Sequence, residues 1–172
     1  MAKTILLTSF TTWRADQISN ASDDILSAML QTQSGSQELH LLRLIPVDYE
    51  IAPRQVIDSI NQLQPHAVIC CGMAESRAKL SVETNGKHQQ QIFKTTVDLE
   101  ALSQGLPCTE ISHNAGNFVC NHLYYSVLAY LERHRLNSQC IFVHVPILRP
   151  ANTARVLADF LCLIDRIKGD IM

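Results

Sequence analysis

The residues with the clearest chemical promise are Cys120, His144 and two carboxylates, Glu83 and Asp98. Cys120 stands in Ser112-His113-Asn114-Ala115-Gly116-Asn117-Phe118-Val119-Cys120-Asn121-His122-Leu123-Tyr124-Tyr125. This stretch follows an apolar run at 106–111 and leads into a periodic apolar segment ending near Arg135, so a strand, a turn and a helix meet at the thiol. Unpaired N–H groups and the positive end of the helix dipole favour an anion there, which predicts a lowered thiol pKa and a nucleophile. Most free cysteines are small buried hydrophobes, so the chemical reading needs a base and a group to orient that base. Of seven histidines, His144 alone lies late in an apolar strand, where a neutral imidazole needs a reason. His113, just before the turn, is the weaker rival, and His40, His66, His88 and His134 read as surface or edge positions. Spacing does not choose between Glu83 and Asp98 as the orienting carboxylate.

The elements that must position these groups alternate between strand and helix patterns. Residues 4–10, 39–47, 67–71, 106–111 and 140–145 read as strands. Helices are expected from the stripe Ile25, Met29 and Leu30, with Asn20 and Ser22 as candidate caps, and from Val56, Ile57, Ile60 and Leu63 after Pro53. A short helix at 97–104 ending at Gly105, the segment after Cys120, and 150–167 complete the set. Between them, 80–83 alternates like a strand, Asn85-Gly86 predicts a hairpin turn, and 90–96 reads as the returning strand. The pattern predicts an α/β fold of three layers, α/β/α, with a mainly parallel twisted sheet and a β-hairpin extension. Ligands in such sheets bind beyond the carboxyl ends of the strands, which selects Phe10, Trp13, Met73 and Arg77 together with Cys120 and His144.

A length of 172 residues with 47% hydrophobic content predicts a single domain over 1–172. The net charge of −2, without a basic block, argues against a nucleic-acid or anionic-membrane partner and for a small ligand. No apolar stretch approaches membrane-spanning length, and the N-terminus turns polar too soon for a signal peptide, so the chain reads as cytoplasmic. The six cysteines include no C-x-x-C pair, which favours reduced thiols over a disulfide framework or zinc. Cys120 and His122, two apart on a helix, point to different sides and make no metal pair.

Residues 114–125 around Cys120, followed by Phe142-Val143-His144-Val145-Pro146, resemble the nucleophile and histidine segments of pyroglutamyl peptidase type I, also called pyrrolidone carboxyl peptidase. Gly72-Met73-Ala74 through Arg77 and Leu80-Ser81-Val82-Glu83 resemble the glutamate signature of that family, and this prefers Glu83 over Asp98. Leu7-Thr8-Ser9-Phe10-Thr11-Thr12-Trp13 resembles a segment whose aromatics pack around the pyroglutamyl ring, and Asn20-Ala21-Ser22 resembles its Asn-Pro-Ser.

The resemblance implies a cysteine omega-peptidase that hydrolyses an N-terminal pyroglutamyl (5-oxoproline) residue from small peptides through a thioester. Cys120 is then the nucleophile, His144 the base and Glu83 its orienter, with Phe10, Trp13, Met73 and Arg77 around the substrate and Arg77 a helper for the oxyanion. No metal or organic cofactor is implied; a homo-oligomer is. The chain departs from the family in a shortened stretch after Glu83, which lacks an Asp- and Pro-rich loop, and in Glu75, Thr84 and Asn114. The alternatives are a related cysteine hydrolase with a different amide substrate and a catalytically silent binding protein on the same fold. Glu75 enters as an extra carboxylate that would raise the thiol pKa or bind a cationic ligand.

Overall fold

Continuous apolar runs become interior strands when both faces of a sheet are covered, and three such runs build the centre of this molecule. The computed structural model describes residues 3–32 and 38–169. In chain order the elements are β1 (Ile5–Phe10), α1 (Ala21–Thr32), β2 (Leu39–Ile45), α2 (Ile51–Leu63), β3 (Ala67–Met73), β4 (Leu80–Glu83) and β5 (Asn85–His88). There follow β6 (Gln91–Lys94), α3 (Leu99–Ser103), β7 (Thr109–Ser112), α4 (Val119–Arg133), β8 (Gln139–Val145) and α5 (Thr153–Lys168). Six strands form one sheet in the order β2-β1-β3-β8-β4-β7, and β5 and β6 form a separate antiparallel pair.

Strand alternation divides the interior into two cores. Ile5, Leu7, Ile69, Ile141 and Val143 face α1, α3 and α5, whereas Leu6, Val68, Cys70, Cys140 and Phe142 face α2 and α4. The layers are thus helix, sheet and helix. Leu26 rather than Leu30 completes the buried stripe of α1, and Leu30 is exposed. Asn20 is the cap of that helix, its Oδ1 accepting from Ser22 N–H at 3.0 Å, while Ser22 Oγ accepts from Phe10 N–H and ties the helix to the end of β1.

The expected mainly parallel sheet and hairpin are present, and two details of them are corrected. The sheet is mostly parallel, but β4 runs antiparallel to β8, with Ser81 opposite His144 and Glu83 opposite Phe142, and β7 runs parallel to β4. The carboxyl end of β7 therefore points away from the shared carboxyl edge of β1, β3 and β8. It is the loop after β7 that returns Cys120 towards Gly72, the penultimate residue of β3. The hairpin also turns elsewhere. Asn85 and Gly86 lie in β5, paired with Lys94 and Phe93, and the chain reverses after His88, where Gln89 has φ 53°. Close approach explains the glycine: a Cβ on Gly86 would lie 2.3 Å from Tyr125 N, so only glycine lets β5 press on α4. Asn121 fastens the contact, its amide accepting from Lys87 N–H and donating to Lys87 O, both at 2.8 Å.

Candidate active site

The parity that puts Cys70 and Phe142 beneath α4 puts Gly72, His144, Ser81 and Glu83 on the same face. His144 is 5% exposed, and its Nδ1 lies 2.7 Å from Glu83 Oε1. A carboxylate partner selects the tautomer with the proton on Nδ1, which leaves Nε2 as an acceptor. The ring rests on Phe142 with centroids 4.9 Å apart. Glu83 is fully buried, and Tyr124 Oη donates to its backbone carbonyl at 2.9 Å. Burial pushes the Glu83 carboxyl up, but hydrogen bonding, led by His144, and the positive charge of Arg77 outweigh it, so the carboxyl sits below its usual value. Asp98 does other work: its carboxylate accepts from Ala101 N–H and caps α3.

Cys120 is the second residue of α4, whose N-cap, Phe118, supplies no side-chain cap to the first-turn N–H groups. Gly116, at φ +82°, turns the chain into this helix. Gly72 is the register neighbour of His144, and a Cβ on it would lie 2.6 Å from Cys120 Sγ. Thiol and imidazole are thus neighbours across one glycine, although no hydrogen bond joins them among the described residues. The expectation of a lowered thiol pKa is overturned. Cys120 keeps some exposure, but its sulfur faces inward, and burial pushes the thiol up to about 12; its own backbone N–H pulls the other way, and Cys70 and Glu83 add to the rise. Desolvation outweighs the helix N-terminus here.

The other candidates separate. Phe10 is 2% exposed and packs in the core with Val119 and Tyr124. Trp13 is 37% exposed, and its ring meets Phe118 at 5.9 Å. Phe118, itself open to solvent and 6.3 Å from Tyr49, extends this aromatic wall; its signal in the sequence was its place two residues before Cys120, whereas Tyr49 had none. Met73 is half-buried and its sulfur accepts from Ala21 N–H at 3.3 Å, at the wall of a cleft of ≈ 340 Å³ that Arg14 and Glu75 also line. Arg77 donates to Glu83 Oε1 at 2.7 Å and to Asn114 O at 3.0 Å, so it reaches the carboxylate behind the imidazole. Glu75 is held by Arg14 at 2.9 Å and by Gln17 at 3.3 Å, which neutralises it and pins the loop carrying Trp13. His113 pairs with the Thr84 hydroxyl.

A thiol at a helix N-terminus beside an imidazole–carboxylate pair, on an α/β/α frame, has the layout of a cysteine peptidase. The model of the pyroglutamyl peptidase family matches residues 92–159, a span that includes Cys120 and His144. Pyrrolidone-carboxylate peptidase 1 of Caldanaerobacter subterraneus subsp. tengcongensis is 25% identical over 96% of this chain and 93% of its own length. The pyrrolidone-carboxylate peptidase of Vibrio campbellii is 28% identical over 85% of this chain and 79% of its own. In fold, the chain is similar to pyroglutamyl peptidase I from Bacillus amyloliquefaciens, with a TM-score of 0.82 at 17% identity, covering 98% of this chain and 96% of that one. The pyrrolidone carboxyl peptidase from Thermococcus litoralis has a TM-score of 0.77 at 17% identity, with the same coverage. All point one way: the chain is similar to pyroglutamyl peptidases of type I in sequence and shares their fold. Among the described residues, no helix is long and apolar enough to cross a membrane.

Proposed function

We propose that this protein is a cysteine omega-peptidase that removes an N-terminal pyroglutamyl residue from peptides. The observation that carries the reading is the 2.7 Å contact of His144 Nδ1 with the buried Glu83 carboxylate, on the glycine-lined face where the Cys120 sulfur lies. Because the thiol is neutral at rest, substrate binding must bring Cys120 Sγ within reach of His144 Nε2, which takes the proton as sulfur attacks the carbonyl carbon. The oxyanion forms beside the uncapped N–H groups at the start of α4. Collapse of the tetrahedral intermediate expels the amine, which takes the proton from His144, and leaves a thioester. Water, deprotonated by His144, then releases pyroglutamate and regenerates the thiol.

Specificity has a physical basis in the exposed Trp13–Phe118 pair, which offers two aromatic surfaces for a flat, uncharged lactam. A free glutamyl N-terminus would bring charges to this wall, and burying them is costly. A cytoplasmic setting is supported by six free cysteines, and self-association by the exposed Ile18, Leu30 and Leu44.

The test is release of a fluorescent amine from its pyroglutamyl amide under reducing conditions. Wild type is expected to turn over, Cys120→Ser to be inactive, and Glu83→Gln to lose about two orders of magnitude or more in kcat. Turnover that survives in Cys120→Ser would refute the mechanism. An unreactive wild type that cleaves other acyl amides through Cys120 would establish a related hydrolase instead.

A further inference from the structure

We propose that Arg77 is a positioning residue, which acts through Glu83 and couples the imidazole–carboxylate pair to the loop that delivers the nucleophile. The inference rests on the reading of His144 as the base. One carboxylate oxygen takes both partners: Glu83 Oε1 lies 2.7 Å from His144 Nδ1 and 2.7 Å from Arg77 Nη1. A neutral imidazole supplies a hydrogen bond but no charge, and an uncompensated carboxylate in this interior is costly. Arg77, whose side chain is 24% exposed, supplies the charge from the rim of the core.

The second arm of the guanidinium reaches the nucleophile loop. Nη2 donates to Asn114 O at 3.0 Å, and the Asn114 side chain in turn accepts from Gly116 N–H at 3.2 Å and from Lys87 Nζ at 3.1 Å. Gly116 is the left-handed residue through which this loop enters α4 and places Cys120. Arg77 is itself anchored to the strand of the base. Its N–H donates to Ala74 O at 3.1 Å, and Ala74 N–H donates to Val145 O, next to His144, at 2.9 Å. One planar fork thus spans from the end of β8, through the buried acid, to the turn before the thiol. Lysine keeps the charge but cannot hold both acceptors in one plane, so the geometry calls for arginine.

The experiment uses the full chain as wild type, Arg77→Gln and Arg77→Lys, with two readouts. Steady-state hydrolysis of the pyroglutamyl amide separates kcat from KM, and proton NMR follows the downfield Nδ1–H signal of His144, assigned by its loss in His144→Ala. Arg77→Gln is expected to lower kcat by about 100-fold with KM within about twofold, and to broaden the Nδ1–H signal by faster exchange with water. Arg77→Lys, which guards against a variant that fails to fold, should recover part of kcat and a sharper signal. A large rise in KM with kcat retained would make Arg77 a substrate contact and overturn the proposal. An unchanged kcat and an unchanged signal would overturn it as well. If wild type does not hydrolyse the amide, the functional reading falls, and the NMR signal still decides whether Arg77 holds the pair.

Discussion

Cys120 shows how one side chain can sit at a favourable helix end and still be protonated. The first turn of α4 offers uncapped N–H groups, yet burial against Gly72 pushes the thiol up to about 12. At pH 7 that value corresponds to a thiolate fraction of roughly one part in 10⁵. Alkylation of Cys120 by iodoacetamide in the free protein is therefore expected to be slow at neutral pH and to rise about tenfold per pH unit from 7 to 10. A rate that is already on a plateau at pH 7 would contradict a neutral resting thiol. Glu83 carries the opposite sign. Its carboxyl is held below the usual 4.5, so its ionisation adds stability that is complete above that value and is lost as pH falls through the folded-state pKa. Denaturant titrations of wild type should show a falling midpoint below about pH 4.5, and Glu83→Gln should flatten that part of the profile.

Two glycines set the geometry at the level of elements. Gly72 leaves room for the thiol between β3 and α4, where a methyl group would meet Cys120 Sγ at 2.6 Å and the Phe142 ring at 2.8 Å. Gly72→Ala should cost about 1–3 kcal/mol of stability and reduce turnover far beyond what that loss explains, since the sulfur must move. Thermal unfolding and kcat measured on the same preparation would separate the two effects. Gly86→Ala is expected to act differently, by lifting β5 off the α4 backbone at Tyr125 N and breaking the Asn121–Lys87 pairing. Hydrogen exchange at Lys87 N–H should accelerate in that variant, and an unchanged rate would show that the hairpin does not depend on the contact. The hairpin thereby braces the helix that carries Cys120.

Across the whole molecule, the sheet separates stability from chemistry. Cys120, Glu83 and His144 belong to the face beneath α4, whereas α1 and α5 cover the other face with Ile25, Leu26, Met29, Phe160 and Leu163. Phe160→Ala, at a fully buried site on the far face, should destabilise by about 3–5 kcal/mol while leaving KM for the pyroglutamyl amide unchanged below the unfolding transition. A marked change in KM would mean that the two cores are coupled through the sheet.

Local chemistry was readable in the chain itself. The alternation of strand and helix follows from hydrophobic period and from caps such as Asn20, and the thiol before a periodic helix and the histidine late in a strand follow from turn residues and strand length. The resemblance of short motifs then favoured Glu83, whose Oε1 lies 2.7 Å from His144 Nδ1. Other features required distant segments to meet. The reversed direction of β4 and β7 depends on which edge the sheet offers, and Asn85-Gly86 formed a strand because the Tyr125 backbone demanded glycine there. The protonated thiol and the Arg77–Glu83 pair likewise depend on burial and on partners far apart in the chain. Turn propensity and helix dipoles act over a few residues, whereas desolvation and ion pairing are set by whatever packs against a group, and only the folded chain decides that.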